Sequence, residues 1–259
     1  MKTPVRSPYC WQKERFRNPA YANSGESGID GSDKDHAFAI CSPQQFNLLG
    51  ATSSDWGKSF KLADNIGLGL FSGTTYNIIG NAGTPFTGSL NGQDYSISFL
   101  TYTGSATDDD LGLIGRATGA ELSRLHLVQP EVRGDQNIGS LIGYSSGGSF
   151  SQVSIVGGLV QGNQSVGGLV GNTSASIQNS FVNGTQILDR GTPGSWFGGV
   201  VGLLDGNSTR IKICYARAEV KASSSLYVGG FIGGELMPTT PTVEDSFAIS
   251  NVQGDDSGG

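Results

Sequence analysis

A chain of 259 residues with 41 glycines and only 15% charged residues is badly suited to helices, because each glycine costs roughly 1 kcal/mol against alanine in a helix interior. Turn-rich β architecture tolerates glycine, which reaches positive φ without strain. The net charge of −6 argues against nucleic acid as a partner, since its backbone demands basic surface, and no run approaches the roughly 20 apolar residues of a membrane span, so no membrane insertion is expected.

In chain order, residues 1–36 read as an amino-terminal arm. Its early part, MKTPVRSPYCWQKERFR, clusters basic residues and holds no apolar h-region of a signal peptide. Cys10 and Cys41 both precede the regular part of the chain, and a disulfide between them would suit an exported protein. Three scattered cysteines and two histidines with no C-x-x-C spacing make no metal site, and no cofactor is expected. Residues 37–109 follow as a capping and lead-in region. Within it, SPQQFNLL has the form of a helix start, with Ser42 as N-cap, Pro43 at the first helical position and Gln45 at the third. The pattern predicts a short helix from Ser42 to about Gly50, with Phe46 and Leu49 turned toward the first coil.

Over residues 110–259 the sequence repeats. The phrases DLGLIGR, NIGSLIGY, SVGGLVGN, WFGGVVGL and YVGGFIGG carry a closing glycine at Gly115, Gly143, Gly171, Gly202 and Gly233, at steps of 28 or 31 residues. After each comes a second apolar pattern: Leu122-x-x-Leu125-x-Leu127, Phe150-x-x-Val153-x-Ile155, Ile177-x-x-Ser180-x-Val182, Ile211-x-x-Cys214-x-Ala216 and Val243-x-x-Ser246-x-Ala248. One further apolar point follows, at Val132, Val160, Ile187, Val220 and Val252. The i, i+2 spacing is that of strands. Each unit reads as three short strands separated by bends that the phrase glycines permit. A single unit cannot bury its apolar face, but units stacked ~4.8 Å apart in register make a continuous core. The predicted fold is all-β, a right-handed parallel β-helix (β-solenoid) of about five coils.

VGGLVG followed by ASIQNSFVNGTQI resembles the GLUG repeat of bacterial surface proteins. FAICSPQQFNLLG, SFKLADNIGL and TPFTGSLNGQDYSISFL, running into DLGLIG, resemble the segment that leads into such repeats, so the resemblance covers roughly residues 37 to 253. It implies a β-solenoid in an adhesin-type protein, extracellular or held at a bacterial cell surface. It is nearly silent on ligand.

Many parallel β-helix proteins process polysaccharides, and that chemistry needs carboxylates grouped on one face. Here Glu131 and Glu219 occupy similar places three coils apart, while Asp189, Asp205, Glu235 and Glu244 fall at differing offsets. Asp108-Asp109-Asp110 reads as a solvated turn. His126 is the only histidine in the repeats, and no serine or cysteine nucleophile has a recognisable setting. Cys214 stands at an inward position and reads as a small core residue. No catalytic residue is assigned, and the chain is not expected to be an enzyme.

Between the inward positions, pointing the opposite way, stand His126, Ser154, Phe181, Tyr215 and Phe247. The last three make an aromatic column at strand-to-strand spacing. Such a column suits stacking on sugar rings or anchoring a protein partner, and it equally serves a sheet as a packing ladder. LDRGTPGSW and ELMPTTPT read as loops on the scaffold, with Trp196 and Met237 as their apolar contacts. The main expectation is an adhesin-type binding module whose ligand, a glycan or a host or prey surface protein, docks on Phe181, Tyr215, Phe247, Trp196 and Met237. Two others stand beside it: a structural stalk or subunit that self-associates through the carboxyl-terminal solenoid edge, and a polysaccharide lyase or hydrolase.

Overall fold

The computed structural model describes residues 10, 21–24, 26–206, 209–223, 225–236 and 240–254. Short strands follow one another around a coil and pair, parallel and in register, with those of the coils on either side. One coil comprises Gln164–Gly167, Val170–Thr173, Ser176–Gln178 and Phe181–Asp189. Ile177, Val182 and Ile187 point inward and are fully buried, while Gln178 and Phe181 face out, the alternation a half-buried strand requires. The phrase SVGGLVGN holds two of these strands, so the coil has four where the sequence predicts three. Among the described residues the strands form three parallel sheets: a four-strand wall from the first strand of each coil, a five-strand wall from the second, and a broad wall of 17 strands from the rest.

The broad wall extends ahead of the repeats. Phe38–Ile40, Ser59–Leu62 and Ser89–Asn91 stack in register before Glu121–Val128. The lead-in region therefore supplies early rungs as well as a cap, and the solenoid has about six turns instead of five. An inward column runs Phe38, Phe60, Leu90, Leu122, Phe150, Ile177 and Ile211, all buried. Burying each such side chain stabilises the fold by roughly 1.5–3 kcal/mol. The contacts come from neighbouring rungs, which is why one coil cannot stand alone.

The predicted helix forms as Pro43–Ala51. Ser42 Oγ accepts from the Gln45 N–H at 3.2 Å, and Gln45 Oε1 reaches past the cap to accept from the Cys41 N–H at 2.8 Å. Phe46 and Leu49 are fully buried, and Trp56 donates its indole N–H to the Leu49 carbonyl at 2.8 Å. The edge of the first strand is covered rather than left open to pairing. The Ala22 N–H donates to the Ala39 carbonyl at 2.8 Å, and the Asn23 side chain accepts from the Ala39 N–H at 2.6 Å. Cys10 and Cys41 are joined in a disulfide with their Cα atoms 5.6 Å apart, which ties residue 10 beside the helix start.

None of the phrase glycines has a positive φ among the described residues. Instead, Asn137, Ser165, Trp196 and Tyr227 bend the four-strand wall within its own strands, and Asp110 bends the segment stacked on it, all left-handed with φ of 54–65°. A second such column, Arg124, Gln152, Asn179, Ile213 and Asp245, bends the broad wall. This backbone costs a non-glycine residue roughly 1–2 kcal/mol, offset here by hydrogen bonds from the next rung. The Asp110 N–H donates to the Gln136 carbonyl at 2.9 Å and the Leu111 N–H to the Asn137 carbonyl at 3.2 Å. The phrase glycines meet a different demand. A Cβ on Gly171 would lie 2.4 Å from the Ile138 nitrogen, and one on Gly167 would lie 2.1 Å from the Val170 oxygen. The four-strand and five-strand walls approach backbone to backbone, and only a residue without a side chain fits between them. The phrase recurs because that approach recurs in every coil.

Candidate functional site

The left-handed bend at Asn179 and the inward turn of buried Ser180 leave Phe181 on the outer face of the broad wall. Cross-rung register places it in a column of Ser96, His126, Ser154, Phe181, Tyr215 and Phe247. The rings of Phe181 and Tyr215 lie 4.8 Å apart at 3°, and those of Tyr215 and Phe247 5.6 Å apart at 11°. Parallel rings at these distances are offset, the arrangement their quadrupoles favour. The offset leaves part of each ring uncovered: Phe247 is 56% exposed and the other two are half-buried. Exposed Arg217 and Ile249 flank the column on the same wall. Arg210 and Lys212 both reach Glu244 Oε2, at 2.8 and 3.3 Å. Hydrogen bonding from Arg210, then from Lys212, holds the Glu244 carboxyl below its usual range.

Trp196 is not part of this column. It lies within Gly194–Gly198, a strand of the four-strand wall, and stacks on Tyr227, with centroids 6.2 Å apart and planes at 11°. Gly234 makes room for it, since a Cβ there would meet Trp196 Cδ1 at 2.4 Å. Tyr227 is absent from the sequence-derived set, although it stands in the same place in its phrase as Trp196 does. Met237 lies outside the described residues. Three of the five candidates therefore form one surface, and Trp196 belongs to another.

His126 Nδ1 and Ser154 Oγ are 2.7 Å apart, a spacing at which an imidazole can take a hydroxyl proton. Ser154, however, is only 3% exposed. The nearby Asp94 carboxylate is engaged by Arg124 Nη2 at 2.6 Å instead of by the imidazole. The pair links two rungs and presents no accessible nucleophile. Cys214 is inward and buried, and burial pushes its thiol up, away from the reactive thiolate. Among the described residues no group of three His, Cys, Asp or Glu side chains could hold a metal ion.

The Asp108-Asp109-Asp110 turn is held by its own carboxylates. Asp109 Oδ1 accepts from the Gln136 N–H at 3.1 Å, and Asp110 Oδ1 from Asn137 Nδ2 at 2.9 Å. Desolvation, joined by repulsion from Asp135, Asp110 and Asp108, raises the Asp109 carboxyl. A raised carboxyl penalises the folded state once it is charged, so the penalty is absent below its unfolded pKa and sets in as pH rises through the folded value. Asp109→Asn should therefore stabilise the protein by about 0.5 kcal/mol at neutral pH, a small figure because solvent screens this exposed group. The gain should vanish below about pH 3, where both carboxyls are protonated. Paired thermal melts at the two pH values check it.

Residues 162–187, the coil with SVGGLVGN and the inward Ile177, Val182 and Ile187, match the family model described as the GLUG motif. The chain is a β-solenoid that carries a GLUG motif. Over 86% of its length the chain is similar to 86% of a chain from Bacteroides ovatus, solved as a "putative immunoglobulin A1 protease", with a TM-score of 0.55 and 13% identity. At that identity the likeness is one of fold. No curated protein matches the chain. The motif and the solenoid fit an extracellular β-helix protein.

Proposed function

We propose that this GLUG solenoid is an adhesin-type binding module, extracellular or displayed on a bacterial surface, that holds a glycan on the Phe181–Tyr215–Phe247 column. One observation carries the reading: three parallel rings, one per rung, stand partly uncovered on a rigid wall. The wall orders these rings when the chain folds, so little conformational entropy remains to be lost on binding. A protein ligand is the second reading. It is favoured by exposed Phe247 and Ile249 beside Arg217, since aromatic and arginine side chains are the commonest interface anchors.

A glycan array probed with the wild type and with the F181S/Y215S/F247S variant tests the first reading. Saturable binding is expected, weakened at least about tenfold in the variant as three ring contacts are lost. The three side chains face outward, so the variant should keep the fold, a point to be checked by circular dichroism. A folded variant that binds as tightly as the wild type would remove the column as the site. A wild type that binds nothing on the array would overturn the glycan reading in favour of the protein one.

A further inference from the structure

The amino-terminal rungs of the broad wall carry a groove of about 390 Å³ that none of the three rings of the aromatic column lines. Its floor is an outward column in strict register, Lys61, Asn91, Ser123 and Ser151, with Ser149 beside it. One side is formed by Lys34, which pairs with Glu121 and so answers the carboxylate facing the groove. Lys61 has no carboxylate partner among the described residues, and the hydroxyls of Ser123, Ser149 and Ser151 make no hydrogen bond there. The floor thus offers one unanswered cation, then an amide, then a row of free hydroxyls, one group per rung.

That repeat has a chemical meaning. Rungs follow one another at ~4.8 Å, and a pyranose in an extended chain advances by nearly the same distance. A ligand whose polar groups repeat at this pitch can engage successive rungs with equivalent contacts. The unpaired ammonium at one end calls for an acidic substituent. We propose that the groove binds a linear acidic glycan lying along the solenoid axis, with a uronate carboxylate on Lys61 and ring hydroxyls on Asn91, Ser123 and Ser151. The site is separate from the aromatic column and does not depend on it. The net charge of −6 repels polyanions from the surface as a whole, so binding rests on this local arrangement and weakens with added salt.

Isothermal titration of the intact protein with hexagalacturonate, and with cellohexaose as its neutral counterpart, tests this. Hexagalacturonate should bind saturably, and about tenfold more weakly in Lys61→Ala, the loss of one hydrogen bond to a charged group. S123A/S151A should weaken it independently, which keeps the test open should one variant fold poorly. F181S/Y215S/F247S should bind it like the wild type. Three results would each overturn the proposal: no binding of hexagalacturonate, equal binding of cellohexaose, or unchanged affinity in both folded groove variants. Loss confined to the aromatic variant would also overturn it, by moving the acidic glycan to the column.

Discussion

Gly171→Ala is expected to lower the melting temperature by about 6–12 °C, which corresponds to about 3 kcal/mol in a domain of this size. The added methyl would fall 2.4 Å from the Ile138 nitrogen and 2.5 Å from the Asn137 carbonyl carbon. These are backbone atoms of a neighbouring strand, fixed by their own pairing, and no flexible side chain is available to yield. Relief requires the four-strand and five-strand walls to move apart, and the hydrogen bonds between rungs resist that. Gly83 is the control. Its Cβ would meet only Asn81 Oδ1 at 3.5 Å, an ordinary contact, and its φ is not left-handed. Gly83→Ala should be neutral, or stabilising by about 0.5 kcal/mol through the unfolded chain. If Gly171→Ala melts within about 2 °C of the wild type, the two walls are not as close as described.

Phe150→Ala should destabilise the protein by about 3–5 kcal/mol, read from denaturant unfolding. Phe150 is fully buried and sits between Leu122 and Ile177 of the adjacent rungs. Its removal leaves a void that those two residues cannot fill without breaking register with their own neighbours. Phe181→Ala provides the contrast. That ring lies half-buried on the outer face, stacked on Tyr215, so its loss should cost about 1 kcal/mol. The pair of variants also tests register, because a slip of one residue would exchange the two faces and invert the order of the effects.

How much of this was legible in the sequence depends on which physical demand each residue answers. Burial selects residue type locally, so the inward triples such as Leu122, Leu125 and Leu127 were readable and the solenoid with them. The cap was readable for a similar reason, since Ser42 and Gln45 act within one turn of helix. The early rungs were not, because Phe60 and Leu90 stack on Leu122 without any accompanying phrase. The left-handed bends were hidden for a deeper reason. Asp110, Ser165, Trp196 and Tyr227 share no side-chain chemistry, and their conformation is imposed by hydrogen bonds from the next rung. At the candidate site, the aromatic column followed from inward–outward alternation. The placement of Trp196 away from it depended on a left-handed bend within the four-strand wall that alternation does not reveal. The groove needed Lys34 to meet Glu121, a contact between distant parts of the chain.

The left-handed bends have an evolutionary consequence. At Ile213 even a β-branched residue accepts this conformation, and its side chain is 52% exposed. Neighbouring rungs set the shape of the ridge, so where a side chain makes no contact of its own the letter written on it is free to drift. A lineage can exchange acid for amide, or amide for indole, one codon at a time along two parallel ridges while the coil beneath is inherited unchanged.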